Sequence, residues 1–539
     1  MNEATFDYVV VGAGSAGAAL ATRLSQAGHS VVVLEAGGNR HRDFWVRTPL
    51  GTAKILSNSQ YVWKFHTTNQ KHLDQRSLYW PRGKLNGGSS SVNGMIYVRG
   101  DPLEYDHWRA LGNVGWGYAD LLPYFKRAEN TAHGREHSRG RNGPIHITSL
   151  REDPDPLTNA FIQACVDSGI PENEDYNGNE YAGVSYLQLN TFKGQRVSTA
   201  IGYLDGTIGR NVCVINSAQA TRVIIENGIT KGVQYRQAGM LSLVHARKEV
   251  ILAAGPICSP QLLELSGIGN ANILNRIGVE VVKHLPGVGE NLIDHLQART
   301  TYECRRGSTL NQVVANPLRQ WLLGMQYLTT RKGLMATSSY TAHALAPTSL
   351  ASTRADVKFQ IQHLSSAYRF EGIDGKITAD NYPGISVGFF QLRPQSRGSV
   401  HASSNQMDDA PVIDPNYLDS EVDRQTVVEA FRLVRKVMSQ PAIAAHLKSE
   451  TRPGSEVTSE CEIIRYIKEI GQTSFHPIGT CKMGVDDMAV VDPQLRVRGI
   501  GRLRVVDSSI MPTMSSSNTN SPSIVIGEKG ADLILQDTA

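Results

Sequence analysis

The stretch "FDYVVVGAGSAGAALATRLSQAGHSVVVLEAGG", residues 6–38, reads as a strand, a glycine turn, a helix and a second strand. Its opening "FDYVVV" has the β-branched and aromatic character of a short buried strand. Gly12, Gly14 and Gly17 follow at GxGxxG spacing, and Leu20 and Leu24 then share one helical face before Gly28 stops the helix. The second apolar strand ends at Glu35. This spacing predicts a dinucleotide site. Gly12 permits the tight turn, Gly14 lets backbone approach a diphosphate, and Gly17 lets the helix pack on the strand. The helix N-terminus, from Ser15 and Ala16 onward, turns free N–H donors toward the diphosphate. Glu35, eighteen residues past Gly17, can accept from adenosine ribose hydroxyls, with Ala36 and Gly37 beside it. A carboxylate there repels a 2′-phosphate and disfavours NADP. The loop alone does not separate NAD from FAD.

At 539 residues the chain is too long for one compact core. Charges are interspersed and sum to only +4, which gives nucleic-acid binding no support. Six cysteines stand far apart with no CxxC pair, the pattern of free thiols in a reducing compartment. The N-terminus runs almost directly into a strand, leaving no room for a signal peptide, and no apolar run is long enough to span a bilayer. A cytoplasmic protein is expected, with peripheral membrane association left open.

Two further stretches bear on the cofactor. "PRGKLNGGSSSVNGMIYVRG", 81–100, packs glycines and serines into a second backbone-donor loop, and "AAGPICSPQLLELSGIG", 253–269, runs from a strand into a Ser-Pro helix start. Both resemble signatures of the glucose–methanol–choline (GMC) oxidoreductase family, as do "LPGVGENLIDH", 285–295, and the C-terminal tail. The resemblance covers essentially the whole chain. It implies FAD, and an α/β architecture in which a Rossmann-like FAD-binding domain (1–100, 210–300 and 460–539) is interleaved with an α+β substrate domain built on an antiparallel sheet (101–209 and 301–459). It also implies cofactor contacts from Arg82, Gly83, Gly87, Gly88, Ser89, Asn93 and Gly94. Asn86 departs from the family's usual aliphatic residue. Val92 stands where some relatives tether the flavin through a histidine, so the FAD is expected to be non-covalent.

"TSFHPIGTCKMG", 473–484, puts His476 in a turn-rich segment, where it reads as a metal ligand, a packed core residue or a base. No ordered His/Cys cluster accompanies it, so no metal site is expected. The GMC resemblance implies a base facing the flavin, paired with Asn518 from "SSSNTNSP", 515–522. The chemistry suits these residues. A neutral imidazole, with an ordinary pKa of about 6.5, takes the hydroxyl proton of an alcohol. An uncharged amide donates to the oxygen as negative charge develops on it, and the hydride goes to flavin N5. Asn520 or Ser521 is expected to cap a C-terminal helix with Pro522 in its first turn, and Asn520 to support the flavin. By the same resemblance Asp507 lies along the FAD ribityl–diphosphate region and Ala220 meets the adenine.

The expected activity is FAD-dependent oxidation of an alcohol to an aldehyde, with oxygen or a quinone or cytochrome as acceptor; monomer and homo-oligomer both remain open. The alternatives are a choline dehydrogenase or oxidase, a non-redox lyase on the same fold, and a flavin-containing binding protein. Glu303, in "TTYECRRG", matches a choline-contacting context in some relatives, but Arg305 and Arg306 follow it, and a salt-bridged surface residue is the weightier expectation. Residues 133–144 read as either a lid or a solvated excursion. Leu322, Met325 and Leu328, at helical spacing, read as core, and 363–375 as a candidate cavity wall.

Overall fold

The computed structural model describes residues 4–305, 309–351, 353–367 and 378–537. Two seven-stranded sheets organise them. In the first, the strands Val212–Asn216, Val31–Glu35, Ala4–Val11 and Met240–Leu252 lie side by side and parallel. Val31–Glu35 and the second half of Ala4–Val11 are buried on both faces, as a parallel sheet covered by helices requires, while Val212–Asn216 lies at the edge with Cys213 exposed. The long strand Met240–Leu252 pairs with Ala4–Val11 on one side. On the other, its first half joins the antiparallel meander Ala218–Glu226 and Ile229–Gln237, and its last three residues pair with Leu503–Val505. That last pairing brings the C-terminal segment beside the glycine turn.

The final helix, Asn520–Asp537, packs against the glycine-turn helix Ser15–Gln26. The approach is close: a Cβ on Gly527 would lie 2.3 Å from the carbonyl oxygen of Ala16. Arg23 donates to the fully buried carboxylate of Glu528 through Nε and Nη2, both at 2.9 Å, and Tyr203 Oη donates to it at 2.6 Å. The helix starts at Asn520, so Asn520 and Ser521 lie within its first turn instead of capping it, and Pro522 is its third residue.

The second sheet is antiparallel, in the order Leu447–Arg452, Leu296–Cys304, Gly384–Gln391, Val357–Gln362, Tyr340–Ala346, Gly183–Tyr186. The helices Glu421–Met438 and Pro156–Asp167 cover it and share its core. After contributing Gly183–Tyr186 the chain returns to this sheet at Leu296 and leaves it for the last time after Gln472–Thr473, and these two passages pair with each other: Leu296 and Gln297 with Thr473 and Gln472, Ile293 with Ile478. These two crossings between the sheets therefore run side by side. His295 and His476 stand on them.

Two expectations change. The helix Pro317–Thr330 is held by buried Tyr327, but Leu322, Met325 and Leu328 are 52%, 42% and 54% exposed. Helical spacing marks a common face without saying which way that face turns, and here it turns outward. Residues 133–144 are not a solvated excursion throughout. Arg139 is buried, with Nε donating to Glu129 at 2.9 Å, and Arg141 donates to the carbonyls of His133 and Gly134 at 2.9 and 2.7 Å.

Gly527→Ala forces the two helices apart and costs about 1–3 kcal/mol. Thermal denaturation is expected to show a lowered Tm; an unchanged Tm would mean that the close approach is not needed.

Candidate active site

At the glycine turn the backbone is crowded on the protein side and open on the other. Gly12 has φ +103°, and a Cβ there would lie 2.5 Å from Ala253 O; one on Gly17 would lie 2.0 Å from Gly12 O. Gly14 meets nothing nearer than 3.9 Å. The first intrahelical bond runs from Ala18 N–H to Gly14 O, and Gly14 offers no side-chain cap, so Ser15 and Ala16 begin an uncapped helix at a cleft. The second loop lies directly on the first: Gly87 N–H donates to Ala13 O at 2.8 Å. Gly88 approaches the Gly14 Cα so closely that a Cβ would come within 2.8 Å. Asn86, the departure from the family pattern, knits this loop to the sheet by donating to Asn39 at 3.2 Å and accepting from Asn216 at 2.6 Å.

Glu35 closes the cleft at the end of the second strand. Its carboxylate accepts from Ala13 N–H at 3.0 Å and Gly37 N–H at 2.8 Å, while burial pushes it up to about 7. Asp507 stands across the cleft, accepting from Ser259 Oγ at 2.6 Å and Gly255 N–H at 2.9 Å; burial raises its carboxyl as well. Ala36, Arg82, Gly83, Ser89 and Ala220 line the same cleft. Gly17, Gly37 and Gly87 are not on its wall and act in packing behind it.

The cleft continues, past Ser15, Arg82 and Ser89, into a cavity of about 220 Å³ lined by Asn93, Gly94, His476, Asn518 and Asn520 among others. Here the late and early parts of the chain meet, and Ser15 Oγ donates to Asn520 Oδ1 at 2.8 Å. The His476 segment is tightly held. Asp294 accepts from His476 N–H at 2.7 Å, from Thr473 Oγ1 at 2.6 Å and from the Tyr417 hydroxyl. Phe475, just before the histidine, takes φ +65°, a left-handed conformation costing on the order of 1–3 kcal/mol, and Arg82 secures its carbonyl at 3.0 Å.

One chain of hydrogen bonds fixes the protonation pattern. His295 Nε2 lies 3.0 Å from Leu392 O, which can only accept, so Nε2 carries the proton. Burial pulls His295 down to about 3 and keeps it neutral, leaving its Nδ1 as an acceptor. His476 Nδ1, 2.9 Å away, must then be the donor. That leaves a lone pair on His476 Nε2, which accepts from Asn518 Nδ2 at 2.9 Å. At the far end Lys358 Nζ donates to Asn518 Oδ1 at 2.7 Å, an arrangement that independently fixes which way the amide points. Both ends set the same direction.

Three members of this arrangement escaped sequence reading: Asp294, His295 and Lys358. So did Arg196, which donates to Asn93 Oδ1 at 2.8 Å. The first two lie in "NLIDH", whose family resemblance is visible but whose roles are not. Lys358 takes a polar position in the strand "VKFQIQ", which alternates apolar and polar residues in the ordinary way, so its sequence context gave no signal. Arg196 had none. Conversely, Glu303 is absent from the cavity wall and pairs with Lys448 at 3.0 Å. Of the expected wall 363–375, Leu364 and Ser366 line the cavity; residues 368–375, like Arg306, lie outside the described residues.

Models of the GMC oxidoreductase N- and C-terminal regions match residues 6–297 and 394–527. The chain is a GMC oxidoreductase. It is 41% identical over 538 residues to the oxygen-dependent choline dehydrogenase of Vibrio vulnificus (strain YJ016), covering 98% of this chain and 94% of that one. It is 39% identical to the mitochondrial choline dehydrogenase of Homo sapiens, covering 98% and 89%. Among solved structures, pyridoxine 4-oxidase from Mesorbium loti superposes with a TM-score of 0.88 at 30% identity, covering 98% of both chains. Formate oxidase of Aspergillus oryzae RIB40 superposes with a TM-score of 0.92 at 25% identity, covering 100% and 99%. This GMC oxidoreductase is an FAD-dependent alcohol oxidoreductase. The residues present fit FAD: an uncapped helix start, a buried carboxylate ending the second strand, and a cleft that opens beside an imidazole. Among the described residues no helix is long and apolar enough to cross a membrane.

His295→Leu removes the acceptor that holds the His476 Nδ1 proton. FAD content should be retained while alcohol-driven flavin reduction slows by about 10–100-fold, in line with losing part of a general-base contribution; an undiminished rate would show that His476 needs no such partner.

Proposed function

We propose that this GMC oxidoreductase oxidises a neutral, polar primary alcohol to its aldehyde, with His476 as the base and Asn518 as the donor to the alcohol oxygen. The observation that carries this reading is the 2.9 Å contact between Asn518 Nδ2 and the lone pair of His476 Nε2 at the cavity wall. An entering hydroxyl takes the place of that amide donor on the lone pair. His476 Nε2 accepts the hydroxyl proton, and Asn518 Nδ2, with two hydrogens, donates to the oxygen left behind. The proton stays on His476: its Nδ1–H already points at His295, which burial keeps neutral and so cannot compete for charge. FAD, when bound, supplies the hydride acceptor.

The wall supports a neutral alcohol over choline. Among the described residues that line the cavity none is Asp or Glu, while Arg82 and Arg299 are present and the glutamines 297, 360 and 362 offer amides. A quaternary ammonium is recognised by carboxylates and aromatic faces; Tyr340, Phe390 and Phe475 give this wall aromatic residues, and what it lacks among the described residues is the carboxylate. Choline is the second reading, favoured by the names of the relatives, which also favour oxygen as acceptor. We further propose a dissociable FAD, since Val92 offers no tether; a division into interleaved flavin and substrate domains that follows the two sheets; and a cytoplasmic location, since all six cysteines are free.

Anaerobic mixing with alcohols tests the chemistry. Absorbance near about 450 nm should bleach with a neutral primary alcohol faster than with choline. His476→Ala should slow bleaching by about 10²–10⁴-fold. Faster bleaching by choline would favour the second reading; turnover without bleaching, or a fully active His476→Ala enzyme, would contradict the mechanism.

A further inference from the structure

Two cations are buried behind the cavity wall without an acid to match them. Lys358 is fully buried on the strand Val357–Gln362, and its Nζ donates to Asn518 Oδ1 at 2.7 Å and Ser517 Oγ at 3.3 Å. Arg196 is 1% exposed; its Nη1 donates to Asn93 Oδ1 at 2.8 Å, its Nη2 to Thr52 Oγ1 at 2.8 Å and its Nε to Val46 O at 2.9 Å. Among the described residues neither makes a salt bridge. Asn93 and Asn518 both line the cavity, and in each the carboxamide oxygen is turned away from it, toward a cation.

Such burial is costly. A charge taken out of water without a counter-ion destabilises the fold, and an apolar side chain of similar volume fills the same space without that cost. The strain is visible in both groups: burial pulls Lys358 down to about 7, so the donor-only ammonium that binds Asn518 is complete only below neutral pH, and it pulls Arg196 down to about 9. Lys358 is also surrounded by groups that cannot neutralise it. The Phe390 ring centroid is 5.9 Å away, and His295 and His343 are both held in their neutral forms by burial, with the Lys358 charge acting in the same direction.

Resting on the reading of His476 and Asn518 as the reacting pair, we propose that Lys358 is a positioning residue for alcohol oxidation. It clamps the Asn518 amide with its N–H groups toward the cavity, and its unmatched charge strengthens those donors when negative charge develops on the substrate oxygen. Arg196 stands in the same relation to Asn93. A carboxamide whose oxygen is bound by a cation is polarised toward a more positive N–H, so the charge acts at the reacting oxygen without touching it. A charged group lying outside the wall also leaves the cavity free for substrate.

The test uses holoenzyme carrying Lys358→Met, which keeps length and removes charge, and Lys358→Gln, which keeps a neutral donor. With FAD content unchanged, Lys358→Met is expected to lower the limiting rate of anaerobic flavin reduction at least tenfold while KM moves less than threefold, and Lys358→Gln to recover only part of the loss. In the Asn518→Ala background Lys358→Met should cost less than twofold, because the residue acts through the amide. A binding readout separates charge from packing. The Kd of acetate, read from flavin spectral perturbation, should rise about tenfold in Lys358→Met while that of acetamide stays put. A Lys358→Met enzyme with full rate and unchanged acetate affinity, or rate losses that simply multiply in the double variant, would overturn the proposal. If the Met variant does not fold, the same comparisons are made with Lys358→Gln. Should Asn518→Ala itself leave the rate untouched, the catalytic reading fails, and the acetate–acetamide comparison still reports whether Lys358 charges the cavity.

Discussion

The carbonyl of Leu392 can only accept a hydrogen bond and the ammonium of Lys358 can only donate, and the active centre is strung between these two groups. Four contacts of 2.7–3.0 Å join them through His295, His476 and Asn518. With one donor-only end and one acceptor-only end, every hydrogen in the chain has one available position. The result is an imidazole whose lone pair faces the cavity before any substrate arrives. A base held this way needs no change of tautomer when the reaction begins, only displacement of the Asn518 amide by the hydroxyl.

That chain exists because of how the two sheets are threaded. Each histidine sits where the backbone passes from one sheet to the other, and the two passages pair as neighbouring strands. Asp294 then binds both, taking the backbone N–H of His476 and the hydroxyl of Thr473 from the second passage. The cofactor cleft is governed by a different constraint. The glycine turn, the second loop and the final helix approach within distances that no side chain tolerates, so three remote stretches of chain form one wall. The cleft and the cavity meet at Ser15, Arg82 and Ser89, and this continuity couples binding of a dinucleotide to chemistry on an alcohol.

The cofactor cleft was largely legible in the sequence because a strand–turn–helix–strand unit is local: its spacing, its glycines and Glu35 lie within thirty-three residues, 6–38. The pairing of His476 with Asn518 became legible through resemblance, with both residues in recognisable loops. His295 and Lys358 were not, because their contacts are with tertiary partners 97 to 181 residues away. A lysine at a polar position of the alternating strand Val357–Gln362 reads as half-exposed, and only the tertiary packing buries it. The outward-facing helix Pro317–Thr330 illustrates the complementary limit: periodicity locates Leu322, Met325 and Leu328 on one face, but burial depends on what the rest of the chain packs against it. Glu303 illustrates a third, since a local motif match does not fix the direction of a side chain on a strand, and its carboxylate meets Lys448 instead of the cavity.

The direction of the hydrogen-bond chain can be read without turnover. Nitrogen-15 NMR of holoenzyme labelled at histidine ring nitrogens, with His476 assigned by its loss in His476→Gln, reports which ring nitrogen carries the proton. The account predicts a protonated Nδ1 and a bare Nε2 at neutral pH. A proton on Nε2, or rapid averaging between the two nitrogens, would contradict it.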